Sequence, residues 1–159
     1  MLQVDDRETG FAVHHAQHSP GVLLVQSDPH LRVALTSACE QSGLHVHGCA
    51  TVALAQEACR QREVDLLVVD WVVEGIFADE LLELLVAARH PHPLPTTLVL
   101  SRMDNEDTRD CLRPDIPIHG VLTRPTDAAE FTAWAPKFAA VLKKCQRPKA
   151  MKRAHGAVG

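Results

Sequence analysis

The chain has 159 residues, 46% of them hydrophobic, and this suits one domain with a packed core. The formal net charge of −4 argues against nucleic acid as a ligand. No apolar run is long enough to cross a bilayer and residues 1–20 lack a secretion signal, so we expect a cytoplasmic protein with no membrane partner. The five cysteines form no CxxC pair, which argues against a disulfide framework or a zinc site.

Short apolar runs alternate along the chain with helical patterns. Aliphatic and β-branched runs predict five strands, at residues 22–25, 44–49, 66–70, 97–100 and 118–122. Apolar residues at helical spacing predict five helices, which begin after Asp28, after Thr51, at 79, at 104 and after Thr126. Pro136 lies inside the last helical pattern, and we expect it to kink that helix.

Five βα units of this kind predict an α/β fold, a doubly wound parallel sheet with helices on both faces. The predicted domain covers residues 21–145. We expect residues 1–20 to form a flexible arm and residues 146–159 to form a basic, disordered tail.

Right-handed crossovers bring the carboxyl ends of several strands to one edge of such a sheet, where α/β folds place their chemistry. The polar residues that follow the strands are therefore expected to surround a single cleft. They are Gln26, Ser27, Asp28, Asp70, Ser101 and Arg124.

These strand ends resemble the response-regulator receiver domain of two-component signalling, over residues 21–145. The matching positions are Gln26, Ser27 and Asp28 in the acidic loop, Asp70 as phospho-acceptor, Ser101 as switch hydroxyl, and Arg124 with Pro125 as the Lys-Pro pair. The resemblance implies a flavodoxin-like, five-stranded sheet in the order 2-1-3-4-5. It also implies a signalling module and not an enzyme.

The resemblance breaks where the family binds its metal. Gln26 and Ser27 stand in place of two acidic residues, and Asp28 comes one position late. Mg²⁺ needs several oxygen ligands, so we expect no cofactor, with Asp28 and Asp70 as weak candidates for a poorly held Mg²⁺.

Two arginines also depart from the family pattern. Arg124 replaces the lysine, and Arg102 follows Ser101 where the family has a small residue. We expect one or both to offset the charge of Asp70 permanently. A nearby cation favours the ionised carboxyl, so this predicts an Asp70 pKa below that of a free aspartate.

The favoured interpretation is an atypical, stand-alone receiver that acts by binding a histidine kinase or an output protein. We also expect a possible homodimer through the face of the last two helices. One alternative is a working receiver that is phosphorylated on Asp70 with Mg²⁺. A more distant alternative, a flavodoxin-like enzyme or ligand-binding protein, lacks a glycine-rich phosphate loop after any strand.

Overall fold

The computed structural model describes the backbone of residues 21–61 and 63–158, and their side chains except at 128 and 146–158. The predicted N-terminal arm, residues 1–20, lies outside the described residues. The strands are β1 (Gly21–Val25), β2 (His45–Cys49), β3 (Leu66–Asp70), β4 (Val72–Val73), β5 (Ile76–Phe77), β6 (Thr96–Ser101) and β7 (Gly120–Thr123). The helices are α1 (Pro29–Gln41), α2 (Val52–Gln61), α3 (Ala78–Arg89), α4 (Asn105–Cys111) and α5 (Ala128–Val158).

Five strands form one parallel sheet in the order β2-β1-β3-β6-β7. This confirms the predicted doubly wound fold, because these are the second, first, third, fourth and fifth strands of the repeating unit. Asp70 pairs in register with Leu100, and Ser101 with Thr123. The parallel pairing therefore brings the ends of β3, β6 and β7 to one edge.

Helices cover both faces of the sheet. α1 and α5 pack on one face, where Leu35, Phe138 and Leu142 are fully buried. α2 and α3 pack on the other face, with Leu81 and Leu85 in the core. Every residue of β3 is buried, which explains why this strand is a continuous apolar run and does not alternate.

A small antiparallel hairpin, β4–β5, follows β3 and was not predicted. Its tip residues Glu74 and Gly75 have φ angles of 52° and 78°, the left-handed region used by tight hairpin turns. Strands of two residues are too short to show a periodicity, so the sequence pattern does not indicate them.

The last helix differs most from its prediction. α5 is one helical segment that includes Pro136, and the kink expected there stays a prediction. Its backbone remains helical to Val158, in the segment where the sequence analysis predicts a disordered tail. Lysine, arginine, alanine and methionine dominate this segment, and all are good helix formers. Among the described helices, none is both long and apolar enough to span a membrane.

Candidate functional site

A cleft of about 370 Å³ opens beside the carboxyl ends of β1, β3 and β7. Open parallel sheets bind their ligands at this edge. The polar residues that line the cleft are Gln26, Ser27, Asp28, Asp70, Arg102 and Arg124. The structure thus brings together the residues singled out in the sequence, except Ser101, which is buried away from the cleft.

Asp70 and Arg124 form a buried ion pair in this cleft. Arg124 Nε donates to Asp70 Oδ1 at 3.0 Å, and Nη2 donates to Oδ2 at 3.5 Å. The side chain of Asp70 is only 7% exposed and that of Arg124 only 11%. A lysine has no planar fork and does not hold a carboxylate by two N–H groups in this way. Removal of one partner from a buried pair costs about 3–5 kcal/mol, because the other charge is left unpaired.

The two arginines that were predicted to offset the charge of Asp70 therefore differ in their contacts. Arg124 offsets the charge of Asp70, as expected. Arg102 lines the cleft with an exposed side chain and forms no ion pair with any residue that the structure describes.

The pKa of Asp70 is raised, so our expectation of a lowered value was wrong. Burial is the largest cause, since desolvation penalises the charged carboxylate. Arg124, the nearby Gln26 amide and the backbone N–H of Trp71 act in the opposite direction but do not outweigh it. The prediction counted the nearby cation and missed the complete burial of the strand end.

Asp28 lines the cleft and also caps the start of α1. Its Oδ1 accepts from the backbone N–H groups of His30 at 2.9 Å and Leu31 at 3.3 Å, which makes it the N-cap of the helix. Ser27 beside it is exposed. The cap occupies one of the two carboxylate oxygens, so Asp28 offers only Oδ2 as a replacement ligand.

Gln26 is almost completely buried, with 1% of its surface exposed. Its Oε1 accepts from the backbone N–H of Asp28 at 3.0 Å. Its Nε2 is buried and, among the described residues, has no hydrogen-bond partner of good geometry, although the amide lies near enough to Asp70 to lower its pKa.

The residues of the cleft do not fit Mg²⁺. This cation requires several free oxygen ligands. Arg124 holds both oxygens of Asp70, the start of α1 holds Asp28 Oδ1, and a backbone N–H holds Gln26 Oε1. Among these side-chain oxygens, only Asp28 Oδ2 accepts no hydrogen bond from the described residues, and a single carboxylate oxygen is too few for Mg²⁺. Within the described part of the chain, no group of three or more His, Cys, Asp or Glu side chains is placed to hold a metal ion.

Ser101 belongs to a buried hydrogen-bond chain that links β6 to α4. The backbone N–H of Met103 donates to Ser101 Oγ at 3.0 Å, and Ser101 Oγ lies 2.9 Å from Thr108 Oγ1. Thr108 Oγ1 donates to the carbonyl of Asp104 at 2.7 Å. Both hydroxyl residues are fully buried. The hydroxyl of Ser101 is therefore directed to α4 and not to Asp70.

Thr108 and the hairpin contribute contacts near the cleft that were not predicted from the sequence. Glu74 at the hairpin tip accepts from the backbone N–H of Val52 at 2.7 Å and so helps to cap α2. Trp71 lines the cleft and contacts the ring of Phe77, with ring centroids 5.4 Å apart. A threonine on a polar helix and a glutamate in a loop carry no sequence signal for such long-range contacts.

Several solved receiver domains superpose on this structure. The chemotaxis response regulator CheY4 of Vibrio cholerae does so with a TM-score of 0.60 at 14% identity, over 76% of this chain and 98% of that chain. The non-phosphorylated HemR receiver domain of Leptospira biflexa superposes with a TM-score of 0.56 at 22% identity, over 76% of this chain and 94% of that chain. The chain has the fold of a response-regulator receiver domain.

A third receiver-fold structure is that of the response regulator TrrA of Thermotoga maritima, in complex with Mg²⁺-BeF. It superposes with a TM-score of 0.56 at 15% identity, over 74% of this chain and 97% of that chain. No protein-family model matches the sequence, and no curated protein does. The receiver fold is thus shared with these proteins at low sequence identity.

Proposed function

We propose that this chain is an atypical receiver module that acts in two-component or phosphorelay signalling by binding other proteins, without phosphorylation of Asp70. The observation that supports this most directly is the ion pair between Asp70 and Arg124. A phospho-accepting aspartate must be free to attack, and a divalent metal must offset the charge of the incoming phosphoryl group. Here the guanidinium holds the carboxylate by both oxygens.

The partners that fit this proposal are a histidine kinase or an output protein, met in the cytoplasm. In this proposal the module has no catalytic activity of its own, and it needs no Mg²⁺. A second copy of the chain is a further proposed partner, through the face formed by α4, β7 and α5.

Intact-protein mass spectrometry tests the proposal. After incubation with a small acyl phosphate and Mg²⁺, we expect the mass of the natural chain to be unchanged. The double variant Gln26→Asp with Ser27→Asp supplies two carboxylates beside Asp70 and should gain Mg²⁺ binding, seen as a saturable change in Trp71 fluorescence.

The matched control is Asp70→Asn in the same double variant, which should remove any phosphoryl adduct. In the natural chain, Asp70→Asn should leave partner binding nearly unchanged. A stable adduct on Asp70 of the unmodified protein would reject the proposal and favour the alternative of a working, Mg²⁺-dependent receiver.

A further inference from the structure

Two histidines lie on one face of the strand β2, which forms an edge of the described sheet. Side chains alternate between the two faces of a strand, so His45 and His47 point to the same side, and Val46 points to the buried cluster on the other side. The two histidines are about 6.6 Å apart along the strand. At this separation two imidazole rings can lean toward one ion, so the pair is a chelating arrangement.

Both histidines line a groove of about 300 Å³ at the amino end of β1 and β2. His45 is exposed and His47 is half-buried. Among the described residues of the groove, Glu63 is the one that carries a formal charge. A carboxylate near two imidazoles favours a cation, and imidazole suits Zn²⁺, Cu²⁺ and Ni²⁺, whereas Mg²⁺ prefers oxygen ligands. The widely spaced cysteines, which argued against a zinc site, have no part in this arrangement.

The strand register indicates where a third ligand comes from. Zinc sites in proteins have three or four protein ligands, and the described residues supply only a pair of histidines here. Gly21, the first residue of β1, pairs in register with His45, and His18 precedes Gly21 by three residues. His18 lies outside the described residues, but three residues span at most about 11 Å. The chain connection therefore keeps His18 near the amino end of the groove, and such a short tether favours binding.

We infer that His45 and His47 of β2, together with His18, bind one divalent metal ion of the zinc class. The site lies at the amino end of the sheet, whereas Asp70 lies at the carboxyl end, so the inference does not rest on the proposed function. A bound ion joins the chain that precedes β1 to the edge strand β2. It thereby covers part of a sheet edge that would otherwise present unpaired backbone groups to other chains.

Titration of the ¹⁵N-labelled full chain with Zn²⁺ tests the inference, with the ring nitrogens of His47 observed by NMR. We expect a saturable change of the His47 ring signals and one ion bound per chain. Mg²⁺ at the same concentrations should leave these signals unchanged, because the proposed ligands are imidazole nitrogens. His47 is kept in every variant, so the same signals report on binding throughout.

Variants identify the ligands. His45→Asn and His18→Asn each remove one proposed ligand, and the exposed position of His45 means that its replacement leaves the core intact. Each variant should weaken Zn²⁺ binding by about tenfold or more. The matched control is the pair His90→Asn and His92→Asn. These two histidines are also exposed and two residues apart, but they follow α3 and belong to no strand, so their replacement should have no effect.

Three outcomes would overturn the inference. The first is the absence of a saturable change at His47 up to about 1 mM Zn²⁺. The second is equal weakening by His45→Asn and by the control pair, which would mean that Zn²⁺ binds exposed histidines without selection. The third is unchanged binding by His18→Asn, which would remove the link between β2 and the chain before β1. None of these outcomes bears on the mass measurement at Asp70, so the proposed function is tested separately.

Discussion

The pKa of Asp70 is the balance of two opposing effects, its burial and its ion pair with Arg124. Arg124 lowers the energy of the ionised carboxylate through two hydrogen bonds, and burial raises it by removing water. Because the balance favours the raised pKa, the folded protein binds a proton at Asp70 more tightly than the unfolded chain does.

The pH dependence of stability follows from this sign. The stability that protonated Asp70 contributes is fully present below the ordinary pKa of 3.8, and it is lost as the pH rises through the raised folded value. Asn has no such proton to lose. The free energy of unfolding of the natural protein minus that of Asp70→Asn should therefore fall with rising pH in this window, as measured by urea denaturation from about pH 3 to pH 7.

Asp115 provides a control of opposite sign, because its hydrogen bond with Arg113 lowers its pKa. Its contribution is present above the unfolded pKa and is lost as the pH falls through the folded value. The free energy of unfolding of the natural protein minus that of Asp115→Asn should therefore rise with pH. A pH-independent difference for Asp70→Asn would contradict the raised pKa.

The hairpin β4–β5 is the element that joins the cleft to a neighbouring helix. Its first strand follows Trp71 at the cleft, and its tip places Glu74 against the N-terminus of α2. The backbone N–H of Ala78 donates to Trp71 O at 2.9 Å, so the base of the hairpin also connects to the start of α3.

Gly75 tests how far the hairpin depends on its turn. Its φ of 78° is unfavourable for an L side chain, although a Cβ there would have open space. Gly75→Ala should lower the free energy of unfolding by about 1–2 kcal/mol, as measured by urea denaturation. Gly75→Asn should lower the free energy of unfolding by less than Gly75→Ala does, because asparagine tolerates the left-handed region. Equal losses in the two variants would show that backbone strain is not the cause.

At the scale of the whole molecule, the sheet separates two layers of helices, each with its own hydrophobic cluster. The layer of α1 and α5 contains the edge-to-face pair of Phe131 and Trp134, next to Phe138. The layer of α2 and α3 faces away from it on the other side of the sheet. Exposed positions of α3 therefore lie on the other side of the sheet from α5.

The proposed homodimer belongs to this scale. If the face of α4, β7 and α5 pairs two copies, the weight-average mass in sedimentation equilibrium should rise with concentration. Ala133→Arg places a charge on the exposed surface of α5 and should shift the protein toward the monomer. Val86→Arg, at an exposed position of α3 in the other layer, is the control and should not. A constant monomeric mass of the natural chain would remove the dimer from the proposal.

The sequence by itself determined the succession of the five βα units and the position of Asp70 at the end of a buried strand. These features follow from apolar periodicity and from the handedness of βα crossovers, which are local or general. The strand order of the sheet was implied by the resemblance to receiver domains, and the β4–β5 hairpin was not predicted. Even the bounds of β3 agree with the predicted strand at residues 66–70. The capping positions of Asp28 and Thr51 were also predictable, because a cap acts on the next few residues.

The tertiary structure decided which side chains meet and at what energetic cost. It selected Arg124 and not Arg102 as the partner of Asp70, directed Ser101 to Thr108, and placed the Gln26 amide beside Asp70. These outcomes depend on rotamers and burial set by residues such as Arg124, which is 54 positions from Asp70 in the chain. The sign of the Asp70 pKa shift is likewise a matter of desolvation, which arises only when both layers of helices close over the sheet.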